Sequence, residues 1–486
     1  MRSTSLTRHL VTIGILASSL IGCHQPVRSA GTVRPTYTAT DSSLATHGLP
    51  DWYQDGKLGI FVCWGLYSVP GWARGPGKTL QEILATGDGT EWFASNPYAE
   101  WYLNSLKVNG SKTQAYHRAT YGETFAYDDF IPEFNTASKA WNPSEMARLF
   151  ADVGAAYVVL VTKFHDGFLL WPSRTPNPHR SNYAAQRDIV GELTSAVKAR
   201  GMKMGFYYSS GLDWTFNDQT ITNFPTLFTA VPQGPAYSAY IDAHWRELIE
   251  RYDPSILWAD IGSPVAFDPR PLFADFYNRN NAGVVNNRHK MGMVNGQLSS
   301  PVHFDFTTPE YQVLDTITTQ KWESVRGIGL SFGYNRTENV AEFLSVDDLV
   351  DTFVDIVSKN GNLLLNVGPA ADGSIPDGQQ TRLRGLGEWY RVNREALNGT
   401  RAWTTAQATT TTGERVRFTT KAGAVYLILL DTPRTTQVTI AGLPLPAVAA
   451  MTAVSDGKNI AFSYSNGQLT FDAATSAGPA HAYRVR

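Results

Sequence analysis

The chain has 486 residues, of which 43% are apolar, 12% aromatic and 17% charged, a balance that excludes a disordered chain. With 41 Lys and Arg against 43 Asp and Glu, no excess charge remains to bind nucleic acid or an anionic membrane surface. Two cysteines, Cys23 and Cys63, exclude a disulfide framework and a four-cysteine zinc site.

Residues 1–23 carry Arg2 and Arg8, an apolar run from Leu10 to Ile21, and then Gly22-Cys23. A positive flank, a short apolar stretch and small residues make an export signal. A run of about twelve apolar residues is too short to cross a bilayer as a helix. The ending Leu20-Ile21-Gly22-Cys23 resembles the processing box of bacterial lipoproteins, in which the cysteine is lipidated and becomes the mature N-terminus. An ordinary secretory signal, cut slightly later, is the alternative. On the lipoprotein reading the protein is exported to the periplasmic or cell-surface side and meets a membrane only through its anchor. Residues 24–48, polar with scattered Pro and Gly, are then a tether. Cys63 is left without a disulfide partner.

From 49 to 400 the chain alternates strand-like apolar runs with amphipathic helices. The strands are predicted at 58–64, 157–164, 203–209, 255–260, 284–287, 303–306 and 362–367. Helices are predicted at 143–154, 188–199, 240–252 and 347–358; in the first, Met146, Leu149, Phe150 and Val153 recur at helical spacing. Strands of nearly continuous apolar residues separated by helices imply a parallel sheet covered on both faces. Seven or eight such units predict a (β/α)8-like TIM barrel, imperfect in places. A doubly wound sheet satisfies the same rhythm. After Trp403, Thr-rich turns separate strands at 416–419, 425–430, 437–440, 460–464 and 468–471, with Asp456-Gly457 and Asn466-Gly467 as hairpin signals. Residues 401–486 are therefore expected to form an antiparallel β-sandwich. The insertion at 75–96, rich in Gly and Thr, either shapes the site or forms a disordered surface loop.

A barrel carries its reacting groups at the C-terminal ends of the strands. Those positions hold Cys63-Trp64, His165-Asp166, Tyr207-Tyr208-Ser209, Trp258 to Asp260, Arg288, and Asp305 to Glu310. Aromatic faces suit the C–H surface of a sugar, while carboxylate, His and Arg side chains satisfy its hydroxyls. Two carboxylates are what glycosidic cleavage uses, one as nucleophile or base and one as acid. Each group also has a plainer reading, such as a helix cap for an Asp or a core position for a His. Without a His-Glu-x-x-His sequence or clustered Cys and His, neither a metal nor another cofactor is expected.

Eight runs, met in order, resemble the α-L-fucosidases of glycoside hydrolase family 29. They are Lys57-Leu-Gly-Ile-Phe-Val-Cys-Trp-Gly-Leu-Tyr-Ser-Val-Pro70, Tyr127-Asp-Asp-Phe-Ile-Pro-Glu-Phe134, Thr162-Lys-Phe-His-Asp-Gly-Phe168 and Tyr207-Tyr-Ser-Ser-Gly-Leu-Asp-Trp214. The others are Leu257-Trp-Ala-Asp260, Thr308-Pro-Glu-Tyr311, Gly329-Leu-Ser-Phe-Gly-Tyr-Asn335 and Gly361-Asn-Leu-Leu-Leu-Asn-Val-Gly-Pro369. The resemblance implies a retaining exo-α-L-fucosidase acting on fucosylated oligosaccharides or polysaccharides. It implies that Asp260 is the nucleophile and Glu310 the acid/base, with Asp305 and Glu323 as substitutes for the acid. It nominates Cys63, Trp64, Glu100, Trp101, Phe164, His165, Tyr207, Trp258, Arg288 and Phe332 for the sugar pocket. Strand alternation lets only one of Tyr207 and Tyr208 point inward.

The chain departs from the family at two of these positions. Most members have His where Cys63 and Phe164 stand. A thiol is a weak donor and Phe is none, so up to two hydrogen bonds to the sugar are lost. That loss is worth about 10–100-fold each unless the pocket or its sugar differs. A glycosidase of the same mechanism for a related sugar such as α-L-galactose is the neighbouring expectation. A catalytically inactive sugar-binding lipoprotein is the expectation from another class.

Overall fold

The computed structural model describes residues 36–486, apart from positions 76, 77, 79–81, 84, 86, 295, 296, 446, 447 and 477. The export signal and Cys23 lie outside the described residues. Tyr157-Val-Val-Leu-Val-Thr-Lys163 shows how the core forms. Its run of apolar, mostly β-branched residues favours a strand, and every one of them is buried because sheet faces are covered on both sides.

This strand, β2 (Tyr157–Lys163), lies among six others: β1 (Leu58–Val62), β3 (Lys203–Ser209), β4 (Ile256–Asp260), β5 (Val284–Val285), β6 (Trp322–Gly327) and β7 (Gly361–Val367). All neighbours are parallel, in the order β5-β4-β3-β2-β1-β7-β6. Residues 303–311 run between the two edges and close the sheet by single bridges, Asn286 to Phe306, Thr307 to Trp322 and Glu310 to Val325. The result is an eight-position TIM-like barrel. The stretch predicted as a strand at 303–306 is held only by such bridges. Pro309 has no N–H for a ladder, and Tyr311 turns out of the extended region with φ of +53°. The sequence reading missed β6, whose Trp-Glu-Ser-Val-Arg-Gly is too polar to look buried, although Glu323 is fully enclosed.

The outer helices are α1 (Pro143–Val153), α2 (Ile189–Lys198), α3 (Pro235–Tyr252), α4 (Arg270–Arg279), α5 (Val346–Ser358) and α6 (Asp377–Asn393). Local signals set several of their starts. The Asn142 side chain caps α1 at the N–H groups of Ser144 and Glu145, with Pro143 in the first turn. Ser345 and Asp348 form a capping box on α5. No helix among the described residues is long and apolar enough to cross a membrane.

Part of the segment expected to be a tether is packed structure. Leu44 is fully buried, Tyr37 bonds Asn278 of α4 through its backbone, and His47 Nδ1 pairs with Asp305 at 2.8 Å. Three residues with apolar or aromatic bodies, spaced through a polar stretch, are too few to show as a periodic pattern.

The tail forms a five-stranded sheet, Arg401–Thr409, Arg415–Lys421, Ala424–Leu429, His481–Val485 and Met451–Ala453 in spatial order. A three-stranded sheet of Gln437–Ile440, Gln468–Asp472 and Phe462–Ser465 faces it. The strand Ala424–Leu429 is buried on both sides. Val425, Leu427 and Leu429 enter the core between the sheets, while Ala424, Tyr426 and Ile428 join the barrel's core. Arg417 to Asp355 (2.5 Å) and Arg415 to Asp351 (2.6 Å) tie this sheet to α5.

Beneath the barrel's upper layer, Glu323 accepts hydrogen bonds from Tyr53 Oη, Tyr157 Oη and Trp258 Nε1. Replacing it by Leu strands three buried donors, each costing about 1–3 kcal/mol. Glu323→Leu is expected to lose at least about 3 kcal/mol in urea unfolding; a loss below about 1 kcal/mol would remove Glu323 as the internal tie.

Candidate active site

Strand alternation decides which predicted residues reach the barrel's open end. In β4, Trp258 and Asp260 face inward while Leu257 and Ala259 face the helices. In β3, Tyr207 faces inward and Tyr208 faces out, bonding His244 Nδ1 at 2.9 Å. The inward residues line a cavity of about 430 Å³ that holds Cys63, Glu100, Trp101, Phe164, His165, Tyr207, Trp258, Asp260, Arg288, Glu310 and Phe332. Adjacent Phe164 and His165 both reach it because β2 ends at Lys163 and the chain turns there. Trp64 does not belong to it. It follows inward-facing Cys63, so it points the other way and packs on Phe134 and Trp141.

Asp260 lies at the tip of β4. Its Oδ1 accepts from Arg288 Nη1 and from the Ile261 N–H, each at 2.9 Å. Its Oδ2 accepts from Tyr207 Oη at 2.9 Å. Three donors therefore converge on this one side chain. Ile261 takes φ of +55°, a costly region for a β-branched residue, and this turn aims its N–H back at Asp260.

Arg288 is held over the face of Trp258, 4.8 Å from the ring centre. Its Nε donates to Thr308 Oγ1 (2.8 Å) and its Nη2 to the Thr308 carbonyl (2.7 Å). Thr308 Oγ1 donates in turn to Asn287 Oδ1. Arg288 Nη1 lies 2.9 Å from Asp260 Oδ1 and 3.5 Å from Glu310 Oε2. One nitrogen between the two carboxylates keeps those oxygens closer than the sum of these distances. The shared nitrogen thus gathers both carboxylates at one end of the cavity.

Glu310 also accepts from Tyr98 Oη at 2.7 Å. Burial raises its pKa above the ordinary carboxyl value; Arg288 and Tyr98 oppose that rise and the charge of Asp260 adds to it. Asp305 and Glu323 do not line the cavity. Asp305 is taken by His47, Tyr277 and the Val285 N–H. Among the described residues, His47, His303 and Asp305 form the one group of metal-type side chains close together, and none lines the cavity.

His165 is kept neutral, its pKa lowered by burial to about 3 despite the pull of Asp260. Its tautomer is fixed too. Ser209 Oγ donates its single proton to the Leu212 carbonyl (2.7 Å), so it must accept from His165 Nδ1 (2.7 Å). Nε2 is then an acceptor. Phe164 covers this imidazole, with ring centres 3.9 Å apart. Cys63 Sγ meets Tyr67 Oη at 3.3 Å, and burial pushes its thiol well above its usual range. Cys63 and Phe164 thus give the cavity an apolar wall.

Several lining residues escaped the sequence reading. Tyr98 stands two residues before Glu100, which the resemblance nominates, so a signal lay beside it. Phe61 sits two residues before Cys63 on β1 and shares its face, which alternation could have found. Trp92, Phe93, Phe224, Leu227 and Phe228 arrive on two short helices whose placement only the folded chain reveals.

Glu100 accepts the Gly333 N–H at 2.7 Å, and burial raises its pKa to about 8. The folded protein therefore holds this proton more tightly than the unfolded chain does. Its contribution to stability is complete below the ordinary value of 4.5 and is lost as pH rises to about 8. Glu100→Gln has no proton to lose. Unfolding free energy should fall between pH 5 and 8 by a few kcal/mol more in the wild type than in Glu100→Gln, on the order of the linkage involved. Parallel pH profiles for the two would show that Glu100 does not carry the proton.

A model of the family described as α-L-fucosidase matches residues 26–395. The α-L-fucosidase of Dictyostelium discoideum is 30% identical over 420 residues, 82% of this chain and 81% of its own length. Human plasma α-L-fucosidase is 31% identical over 419 residues, 85% of this chain and 82% of its own. The structure of the Thermotoga maritima α-fucosidase in complex with fucose is 39% identical, covers 93% of this chain and all of its own, and superposes with a TM-score of 0.82. The match extends from the first βα unit through the closing segment that carries Glu310, and on this ground the chain belongs to the α-L-fucosidase family.

Proposed function

We propose that the protein is a retaining exo-acting α-L-fucosidase that releases terminal L-fucose through a covalent glycosyl-enzyme intermediate. The observation that carries this reading is the pair Asp260 and Glu310 on either side of one Arg288 nitrogen. Asp260, held by three donors, attacks the anomeric carbon and forms an ester bond to the sugar. Glu310 gives its proton to the departing oxygen. Forming the ester removes the charge on Asp260, and with it part of what raises the pKa of Glu310. Glu310 then takes a proton from water, which attacks the anomeric carbon and frees Asp260. The same carboxyl thus serves both half-reactions.

Around the sugar, His165 Nε2 accepts one hydroxyl, and Trp101 and Phe332 offer ring surface. L-Fucose is a 6-deoxy sugar, so its methyl group needs no hydrogen bond. A wall made of Cys63 and Phe164 suits that methyl better than it suits the extra hydroxyl of L-galactose. Fucosylated glycans are the substrate class that family membership supports.

We further infer export and anchoring through Cys23, supported by the pattern of residues 1–23. Radiolabelled palmitate incorporated by the wild type but not by Cys23→Ser would be the expected result. Labelling that survives in Cys23→Ser, or that is missing from both, would overturn it.

With nitrophenyl α-L-fucoside as substrate, Asp260→Ala is expected to lose more than about 10³-fold in kcat, with azide restoring turnover as a fucosyl azide. Glu310→Gln is expected to lower kcat/KM about 10²–10⁴-fold on substrates with poor leaving groups. The wild-type alkaline limb should lie above the ordinary carboxyl range, reflecting the raised pKa of Glu310, and should vanish in Glu310→Gln. Full activity in a folded Asp260→Ala would overturn the assignment of the nucleophile.

A further inference from the structure

Beyond the two carboxylates the cavity changes character. Its mouth is built by two short helices, Thr90–Ala94 and Phe224–Thr229. The first contributes Trp92 and Phe93, and the second contributes Phe224, Leu227 and Phe228. None of these five side chains carries a charge, a hydroxyl or an amide; the indole N–H of Trp92 is their one polar group. Phe228 is 46% exposed. A single exposed Phe is ordinary, but this one continues an apolar surface that runs into the catalytic cavity.

The wall is one unit rather than two separate loops. The Phe224 N–H donates to the Asp88 carbonyl at 2.9 Å, and the rings of Phe93 and Phe224 meet edge to face at 5.7 Å. Gly89, at φ of +85°, lets the Phe224 ring lie against the backbone, since a Cβ there would fall 2.6 Å from the ring. The wall also sits on the leaving-group side. Trp92 packs edge-on against Tyr98 at 4.9 Å, and Tyr98 Oη donates to Glu310. Glu310 protonates the departing oxygen, so whatever is attached to that oxygen lies next to Tyr98 and Trp92.

A sugar seated on this wall would exchange the hydration of its hydroxyls for carbon, at a cost for each one left unpaired. An aryl or long alkyl group would instead remove apolar surface from water on both sides. We propose that the helices Thr90–Ala94 and Phe224–Thr229 form an aglycone subsite that selects an apolar aglycone, aryl or alkyl, over a sugar. This rests on the fucosidase reading above and narrows it to fucosides that carry an apolar group at the scissile oxygen. The insertion at 75–96 then shapes the site through its described residues Trp92 and Phe93.

The test uses methyl, butyl and octyl α-L-fucosides, whose leaving groups have similar basicity, together with fucosyllactose. For the full-length enzyme, kcat/KM is expected to rise about tenfold or more from methyl to octyl, with fucosyllactose well below octyl. In Phe228→Ser, and more strongly in Leu227→Asn/Phe228→Ser, the octyl-to-methyl ratio should fall toward one. Because the ratio is internal to each variant, partial loss of folded protein does not disturb it. Equal rates on methyl and octyl fucosides by the wild type, or a preference for fucosyllactose, would overturn the proposal and leave the fucosidase reading standing. Failure of the folded wild type to release fucose from any of these, or from nitrophenyl α-L-fucoside, would overturn the fucosidase reading itself.

Discussion

Arg288 lies half-buried over the face of Trp258, and its donors are divided among Asp260, Glu310 and Thr308. One cation shared by two carboxylates cannot neutralise both. The nearer contact falls to Asp260, which also takes the Tyr207 hydroxyl and the Ile261 N–H. Glu310 is left with the longer contact and with burial acting to raise its pKa. The two carboxylates therefore sit in different surroundings although they share one cation. A lysine, being a point charge, could not hold Thr308 and reach both carboxylates in one plane as the guanidinium fork does.

The barrel gives up regularity to build this arrangement. Residues 303–311 close the sheet by single bridges in place of a continuous ladder. In return, Thr308 and Glu310 of the same irregular stretch both reach Arg288. Ile261 and Tyr311, one after each carboxylate, both adopt positive φ. Backbone strain of this kind persists where surrounding packing over-determines it. Here the support comes from below, where Trp258 is pinned by Glu323 and Glu323 by Tyr53 and Tyr157. It also comes from the side, where Tyr311 Oη bonds the Leu330 carbonyl and Glu338 holds the N–H groups of Leu330 and Ser331. The tail sandwich extends this rigidity outward, because the strand Ala424–Leu429 contributes to the barrel's core and to its own.

Within the cavity, polar and apolar groups are segregated. Asp260, Glu310, Arg288 and His165 gather at the strand ends, and Cys63 and Phe164 line the same level with groups that offer little to a hydroxyl. Toward solvent the lining becomes wholly aromatic and aliphatic on the side of Trp92 and Phe228. Orientation then comes from a few placed donors and acceptors, and much of the affinity from ring and methyl surface. Tautomer control by Ser209 fits this economy, since a lone imidazole in an apolar wall is useful only if its free nitrogen is the right kind.

The sequence by itself determined the βα rhythm, the sandwich texture of the tail and the motifs that hold Asp260, Glu310 and His165. These are legible because they rest on local periodicity or on contiguous runs, which survive without tertiary context. It nominated Tyr207 over Tyr208 on resemblance alone, and it grouped Trp64 with its inward neighbour Cys63. Only the register of β1 and β3 within the closed barrel separates such pairs, because alternate residues point to opposite faces. Tertiary structure alone decided the rest. It turned 37–48 from a polar tether into a packed segment, buried the polar strand β6 around Glu323, and removed Asp305 and Glu323 from the cavity. It also brought Trp92 and Phe228, more than a hundred residues apart in sequence, onto one wall. Long-range partners such as these leave no local periodicity, since the energy that places them comes from contacts the chain makes only after it has folded.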